Sequence, residues 1–123
     1  MGYDVHVVRT ELWQDSESHP ITKADVDRLI ASDESLSWST TDYIDMKEDD
    51  GTIGRYFMIK WNGSPDFWWY RSEITCTSPD DAHVLKLVEV AGALEARVLG
   101  DDGERYELGK SLFGKPKVVV VRE

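Results

Sequence analysis

Residues 64–73, SPDFWWYRSE, set Phe67, Trp68, Trp69 and Tyr70 in an unbroken aromatic row within a chain that is otherwise polar and acidic. Consecutive Cβ atoms of a strand point to opposite faces, so the row splits two and two, and the preceding turn decides which pair meets the core. WNGSP at 61–65 offers Gly63-Ser64 as a two-residue hairpin turn, and EDDGT at 48–52 offers Asp50-Gly51. Those turns put Asn62 opposite Pro65, Ile59 opposite Trp68 and Met58 opposite Trp69, and they put Ile44 opposite Phe57 and Tyr43 opposite Met58.

One face then gathers Ile44, Met46, Phe57, Ile59, Trp61, Trp68, Tyr70, Ile74 and Cys76, the composition of a core. The other gathers Tyr43, Asp45, Lys47, Tyr56, Met58, Lys60, Phe67, Trp69, Arg71 and Glu73. Large amphipathic side chains mixed with both signs of charge suit an interaction surface. They equally suit a solvated face on which Lys60 and Arg71 lay their stems over the rings. As a partner-binding surface it nominates Tyr43, Tyr56, Lys60, Phe67, Trp69, Arg71 and Glu73.

Outward from this region the pattern stays regular. YDVHVVRT at 3–10 alternates as a strand. Thr22 followed by Asp25, with Ile21 and Val26 as a staple, starts a helix over about 23–32. From Leu36 to Thr77 the pattern predicts three antiparallel strands. SPDD at 78–81 starts a second helix with Ser78 as its cap and Pro79 at the first helical position, and Val84, Leu85, Val88, Ala91 and Leu94 form the inner stripe to about residue 94. ARVLGDDGERYEL reads as strand, turn at Asp102-Gly103, strand, and KPKVVVVRE as a closing strand, either covered on both faces or docked on an edge. The expectation is one α+β domain over residues 1–123: a mostly antiparallel sheet of five to seven strands with two helices on one face, compatible with a ferredoxin-like arrangement.

The chain has 123 residues, 41% of them hydrophobic, enough for one core without staples. It contains no apolar run of membrane-spanning length. The start MGYDVHVVRTEL lacks the basic and apolar regions of a secretory signal, and His6 stands where myristoylation needs Ser or Thr, so a cytoplasmic protein is expected. The single Cys76 fits a reducing compartment. Acidic residues outnumber basic ones 24 to 14, a net charge of −10. That balance repels nucleic acid and speeds encounter with a basic protein.

Catalytic and ligand motifs fail on spacing. LGKS at 108–111 ends like a phosphate-binding loop, but the required earlier glycine position holds Glu104. Asp15, Glu17 and His19 alternate in a loop without fixed metal geometry. Cys76 reads as a small core residue. No catalytic residue, metal ligand or cofactor is assigned.

MGYDVHVVR, WQDSESHPIT and PDDAHVLKLVEVAGALEARVLGDDGERYEL resemble a loose group of small, stand-alone bacterial proteins that begin with a Gly-Tyr-Asp-aliphatic-His strand and end in a helix and a Gly-Asp-Asp-Gly-Glu hairpin. Two departures mark this chain: Glu95 stands where the group often ends its helix in glycine, and FGKPKVVVVRE lies beyond the shared pattern. The resemblance implies a bacterial cytosolic setting and no enzyme. By analogy of size and charge it points to immunity proteins that neutralise a toxin. The leading expectation is therefore a non-enzymatic inhibitor of the toxin-immunity type that occludes a basic partner such as a cognate toxin. A small-molecule or peptide binding module is the alternative. An enzyme of unrecognised type comes third and would need a buried His6 or His19 beside a carboxylate in a cleft.

Overall fold

The computed structural model describes residues 3–110 and 116–121. In chain order they form β1 (Asp4–Val8), a 3-10 turn (Trp13–Ser18), α1 (Lys23–Ser32), β2 (Leu36–Lys47), β3 (Ile53–Trp61), β4 (Ser64–Tyr70), β5 (Glu73–Thr77), α2 (Asp81–Leu94), β6 (Arg97–Gly100), β7 (Arg105–Lys110) and β8 (Pro116–Val121). The fold is α+β, with one antiparallel sheet in the order β2-β3-β4-β5-β1-β6-β7-β8. Taken with the helices, the inner strands β6-β1-β5-β4 follow the split βαβ order of ferredoxin-like sheets. The β2–β3 hairpin is inserted between α1 and β4, and β7–β8 extend the opposite edge.

The eighth strand comes from a break that the sequence reading did not place. Arg71 adopts φ 57 and Ser72 bonds back to the Tyr70 carbonyl, so the chain turns there and the segment over 64–77 becomes two strands rather than one. At the far edge, β8 pairs with β7 on one side, and Val120 is exposed. Leu108, Gly109 and Lys110 of the LGKS motif lie in β7, while Ser111 falls outside the described residues.

The helix signals act as their residue types dictate. Thr22 accepts from the Asp25 amide while Asp25 accepts from the Thr22 amide, and Ile21 and Val26 are fully buried as a staple. In α2 the cap is Asp80, not Ser78, which lies outside the helix at φ 51. The buried stripe is Val84, Leu87, Val90, Ala91 and Leu94, with Leu85 and Val88 half-buried beside it. Lys86 is buried too, its Nζ 2.6 Å from Asp33. The core joins α2's Leu87, Val90, Ala91 and Leu94 and α1's Val26 and Leu29 to Val5, Val7, Ile59, Phe67, Ile74, Cys76 and Val98 on one face of the sheet. No helix among the described residues is long and apolar enough to cross a membrane.

Register departs from the sequence reading on both sides of β3. The hairpin between β2 and β3 is a three-residue loop over 49–51, closed by Gly51 N–H to Glu48 O and Glu48 N–H to Thr52 O, with Gly51 at φ 88. Residues 101–103 repeat that geometry between Gly100 and Glu104. A type I turn followed by glycine in the left-handed region makes such loops. The extra residue pairs Tyr43 with Phe57 and Ile44 with Tyr56. Between β3 and β4 the turn is Asn62-Gly63, both at positive φ, with Trp61 opposite Ser64. A bulge then sets Lys60 against both Pro65 and Asp66, so that Ile59 pairs with Phe67 and Met58 with Trp68. Pro65 has no amide to lose from the ladder.

Candidate functional site

These register shifts relocate the aromatic row. Phe67 is 1% exposed, in the core beneath the helices, where the sequence reading had put it on the outer surface. Trp69 shares that inward face: it packs against the core, and its indole N–H donates to the Ile21 carbonyl at 2.8 Å. Trp68 and Tyr70 are the outward pair, stacked at 5.3 Å. The inward placement of Phe57, Ile59, Trp61, Ile74 and Cys76 stands, whereas the strands flanking β3 are reversed.

The seven nominated surface residues consequently fall in separate places. Tyr43 and Trp69 belong to the helix side of the sheet, and Lys60 and Glu73 to the other. Glu73 reaches His6, and Arg71 sits in the β4–β5 turn, paired with Glu48 at 2.9 Å and Glu17 at 3.5 Å. Tyr56 donates to Glu48 at 2.6 Å and packs edge-on against Tyr70. Gly54 lies beneath this arrangement, where an added Cβ would overlap the Glu48 carboxylate. The hydrogen bonds from Tyr56 and Arg71 lower the Glu48 pKa, and the same Glu48 contact raises that of Tyr56.

What the fold does assemble is an apolar groove at the β2–β3 end of the sheet, beside the start of α1. Its cavity of about 330 Å³ is walled by Trp38, Tyr56, Phe57 and Trp69, with Lys23 of α1 and Arg55 of β3 at the mouth and Ser39 and Gly54 completing it. Trp38 is held by its indole N–H donating to Asp27 at 2.8 Å, and the Lys23 ammonium lies 5.2 Å from its ring centre. Arg55 stacks on Tyr43 at 3.7 Å while bonding Asp45 through Nε and Nη2, and Tyr43 meets Phe57 edge-on at 5.7 Å. A wide bulge over 39–42, in which Ser39 Oγ accepts from the Thr41 and Asp42 amides, lets Trp38 and Tyr43 both face the groove side despite their odd spacing. Around the mouth, Tyr43 (43%), Phe57 (37%) and Ile53 (64%) stay exposed. Two other concavities, one containing Arg9, Asp25 and Arg28 and one containing Asp33, Glu34 and Glu89, have charged walls instead.

Sequence reasoning reached Tyr56 and Trp69 of this groove and Tyr43 at its mouth, and missed Trp38, Phe57, Lys23 and Arg55. Two signals mark the β3–β4 register that turns Trp69 to the groove side. Asn-Gly is the stronger two-residue turn pair than Gly-Ser, and Pro65, unable to donate, marks a bulge.

Two histidines are each bracketed by carboxylates. His6, 4% exposed, bonds Glu73 through Nδ1 and Asp101 through Nε2, both at 2.7 Å, and stacks on Trp13 at 4.2 Å. Burial pulls its pKa down, but the hydrogen bonds and charges of the two carboxylates outweigh this and raise it. His83 lies between Asp66 and Asp80, with Asp66 the larger cause of its raised pKa. A carboxylate at each ring nitrogen favours the doubly protonated imidazolium, the form that donates from both and has no lone pair to abstract a proton. His6 meets the burial condition set for an enzyme, yet it lines neither the groove nor the two charged concavities. Burial, with Asp66, Asp80 and Asp4 nearby, pushes the Cys76 thiol up to about 12, which keeps it protonated. Among the described residues, Asp15, Glu17 and His19 form no cluster able to hold a metal ion. In comparisons with known proteins, no family model, no curated protein and no solved structure matches this chain.

Proposed function

We propose that the chain is a non-enzymatic, protein-binding inhibitor of the toxin-immunity type, working in a bacterial cytoplasm by covering a functional surface of a basic partner. The observation that carries this reading is the grouping of exposed Tyr43, Ile53 and Phe57 around an aromatic groove in a chain of net charge −10. Carboxylates steer the encounter, and the apolar mouth supplies the anchors that hold it. Phe67, being core, takes no part, and Lys60, Arg71 and Glu73 do not line the groove. Capture from the native cell tests the proposal: wild-type chain retains a basic protein that a Tyr43→Ser, Phe57→Ser variant of unchanged fold releases. Equal retention by both forms, or no retained protein, contradicts it.

A second reading, a small-molecule or peptide binding module, is favoured by the volume and apolar walls of the same groove. A thermal-shift screen against metabolites separates the two, because a strong small-ligand shift supports this second reading.

A further inference from the structure

We infer that the groove takes a planar aromatic anion, a two-ring body bearing one carboxylate or comparable negative group. The inference rests on the small-ligand reading of the groove and names its ligand class. Its first support is charge. In a chain whose acidic residues outnumber its basic ones 24 to 14, the groove lining holds two cations, Lys23 and Arg55, and no carboxylate.

Its second support is an accounting of donors. The indole N–H groups of Trp38 and Trp69 are engaged by Asp27 and the Ile21 carbonyl, and the Tyr56 hydroxyl is engaged by Glu48. Ser39 donates to Asp42 within its own bulge. The neutral donors on the walls are therefore satisfied inside the fold, and the aromatic faces are left for stacking. Polar recognition falls to Lys23 and Arg55. Lys23 meets Asp27 only at 3.5 Å, with both side chains about half exposed or more, a pairing weak enough to be shared with a ligand. Arg55 uses Nε and Nη2 on Asp45, and Nη1 has no hydrogen-bond partner among the described residues. The third support is size: about 330 Å³ is at the small end of ligand cavities, suited to two fused rings rather than an extended chain.

Titration calorimetry of the full chain with 2-naphthoate, 2-naphthamide and 2-naphthylmethylammonium, three probes of one shape and different charge, tests this. Naphthoate is expected to bind about tenfold tighter than naphthamide, with the ammonium weakest, since two partly exposed cations together contribute roughly that factor. Lys23→Gln and Arg55→Gln are each expected to weaken naphthoate about threefold and leave naphthamide unchanged. Both side chains are largely exposed, so these variants keep the fold, which their melting temperatures check. Amide resonance shifts on naphthoate addition should centre on Trp38, Phe57 and Trp69. Tightest binding by the ammonium probe overturns the anion inference while favouring a basic occupant. Equal binding of naphthoate and naphthamide, or shifts centred elsewhere, overturns the inference alone. No binding of any probe up to about 1 mM overturns it together with the small-ligand reading, and leaves the inhibitor proposal to its own capture experiment.

Discussion

Glu95 ends α2 in the left-handed region, at φ 54 and ψ 45, and its amide bonds back to Ala91 and Gly92. A side chain there crowds its own backbone, and glycine relieves the strain. Glu95→Gly should therefore stabilise the fold by about 1 kcal/mol, read as a higher urea midpoint at unchanged slope. A lower midpoint would show that the residue is not so constrained. His6 makes a second prediction at this scale. Because its two carboxylates raise its pKa, the ring should titrate above the ordinary 6.5 when followed by its ring-proton resonances. In a Glu73→Gln variant the titration should move down. A wild-type titration below 6.5 would mean that burial dominates and that the imidazole is neutral in the fold.

The elements divide according to how their signals are encoded. Helix starts are written locally, and Thr22 with Asp25 fixed α1 from within four residues; in α2 the neighbouring Asp80 took the capping role from Ser78. Strand faces depend on counting across turns, where one residue inverts everything downstream. Misplacing the β3–β4 turn by one position moves the register by two and leaves the faces intact; the Pro65–Asp66 bulge is what inverted β4. The third loop residue at 49–51 did the same to β2. The break at Arg71 had no signal, because a non-glycine residue occupies the positive φ. Hence two groove residues, Tyr56 and Trp69, and Tyr43 at the mouth were legible as candidates, while their grouping with Trp38 and Phe57 was not. The inversion has a direct energetic consequence. Phe67→Ala should cost about 3–5 kcal/mol as a core cavity, and Trp68→Ala distinctly less, since Trp68 is only partly buried. The reverse order in urea unfolding would restore the original register.

At the scale of the whole molecule, charge sets the conditions under which the fold is most stable. Hydrogen bonds from the Thr22 amide and from Arg9 hold Asp25 at about 2 against the opposing effect of burial, and those from Lys86 and Ser35 hold Asp33 at about 2. A carboxylate lowered on folding contributes stability above its unfolded pKa of 3.8, and that stability is lost as pH falls from there through 2. His6 and His83, raised on folding, contribute fully below 6.5 and lose that contribution as pH rises through their folded values. The urea midpoint should therefore peak between about pH 4 and 6.5 and decline on both sides; a midpoint that climbs steadily from pH 6 to 9 contradicts the histidine assignment.

The same molecule-wide asymmetry, an acidic body with one apolar mouth at the β2–β3 end, is the basis of the proposed binding. Hydrogen exchange of the chain alone and in complex with its captured basic partner tests this most directly. Protection concentrated in residues 38–46 and 53–57 is the expected result. Protection confined to the β6–β8 edge, or no complex to measure, would contradict it.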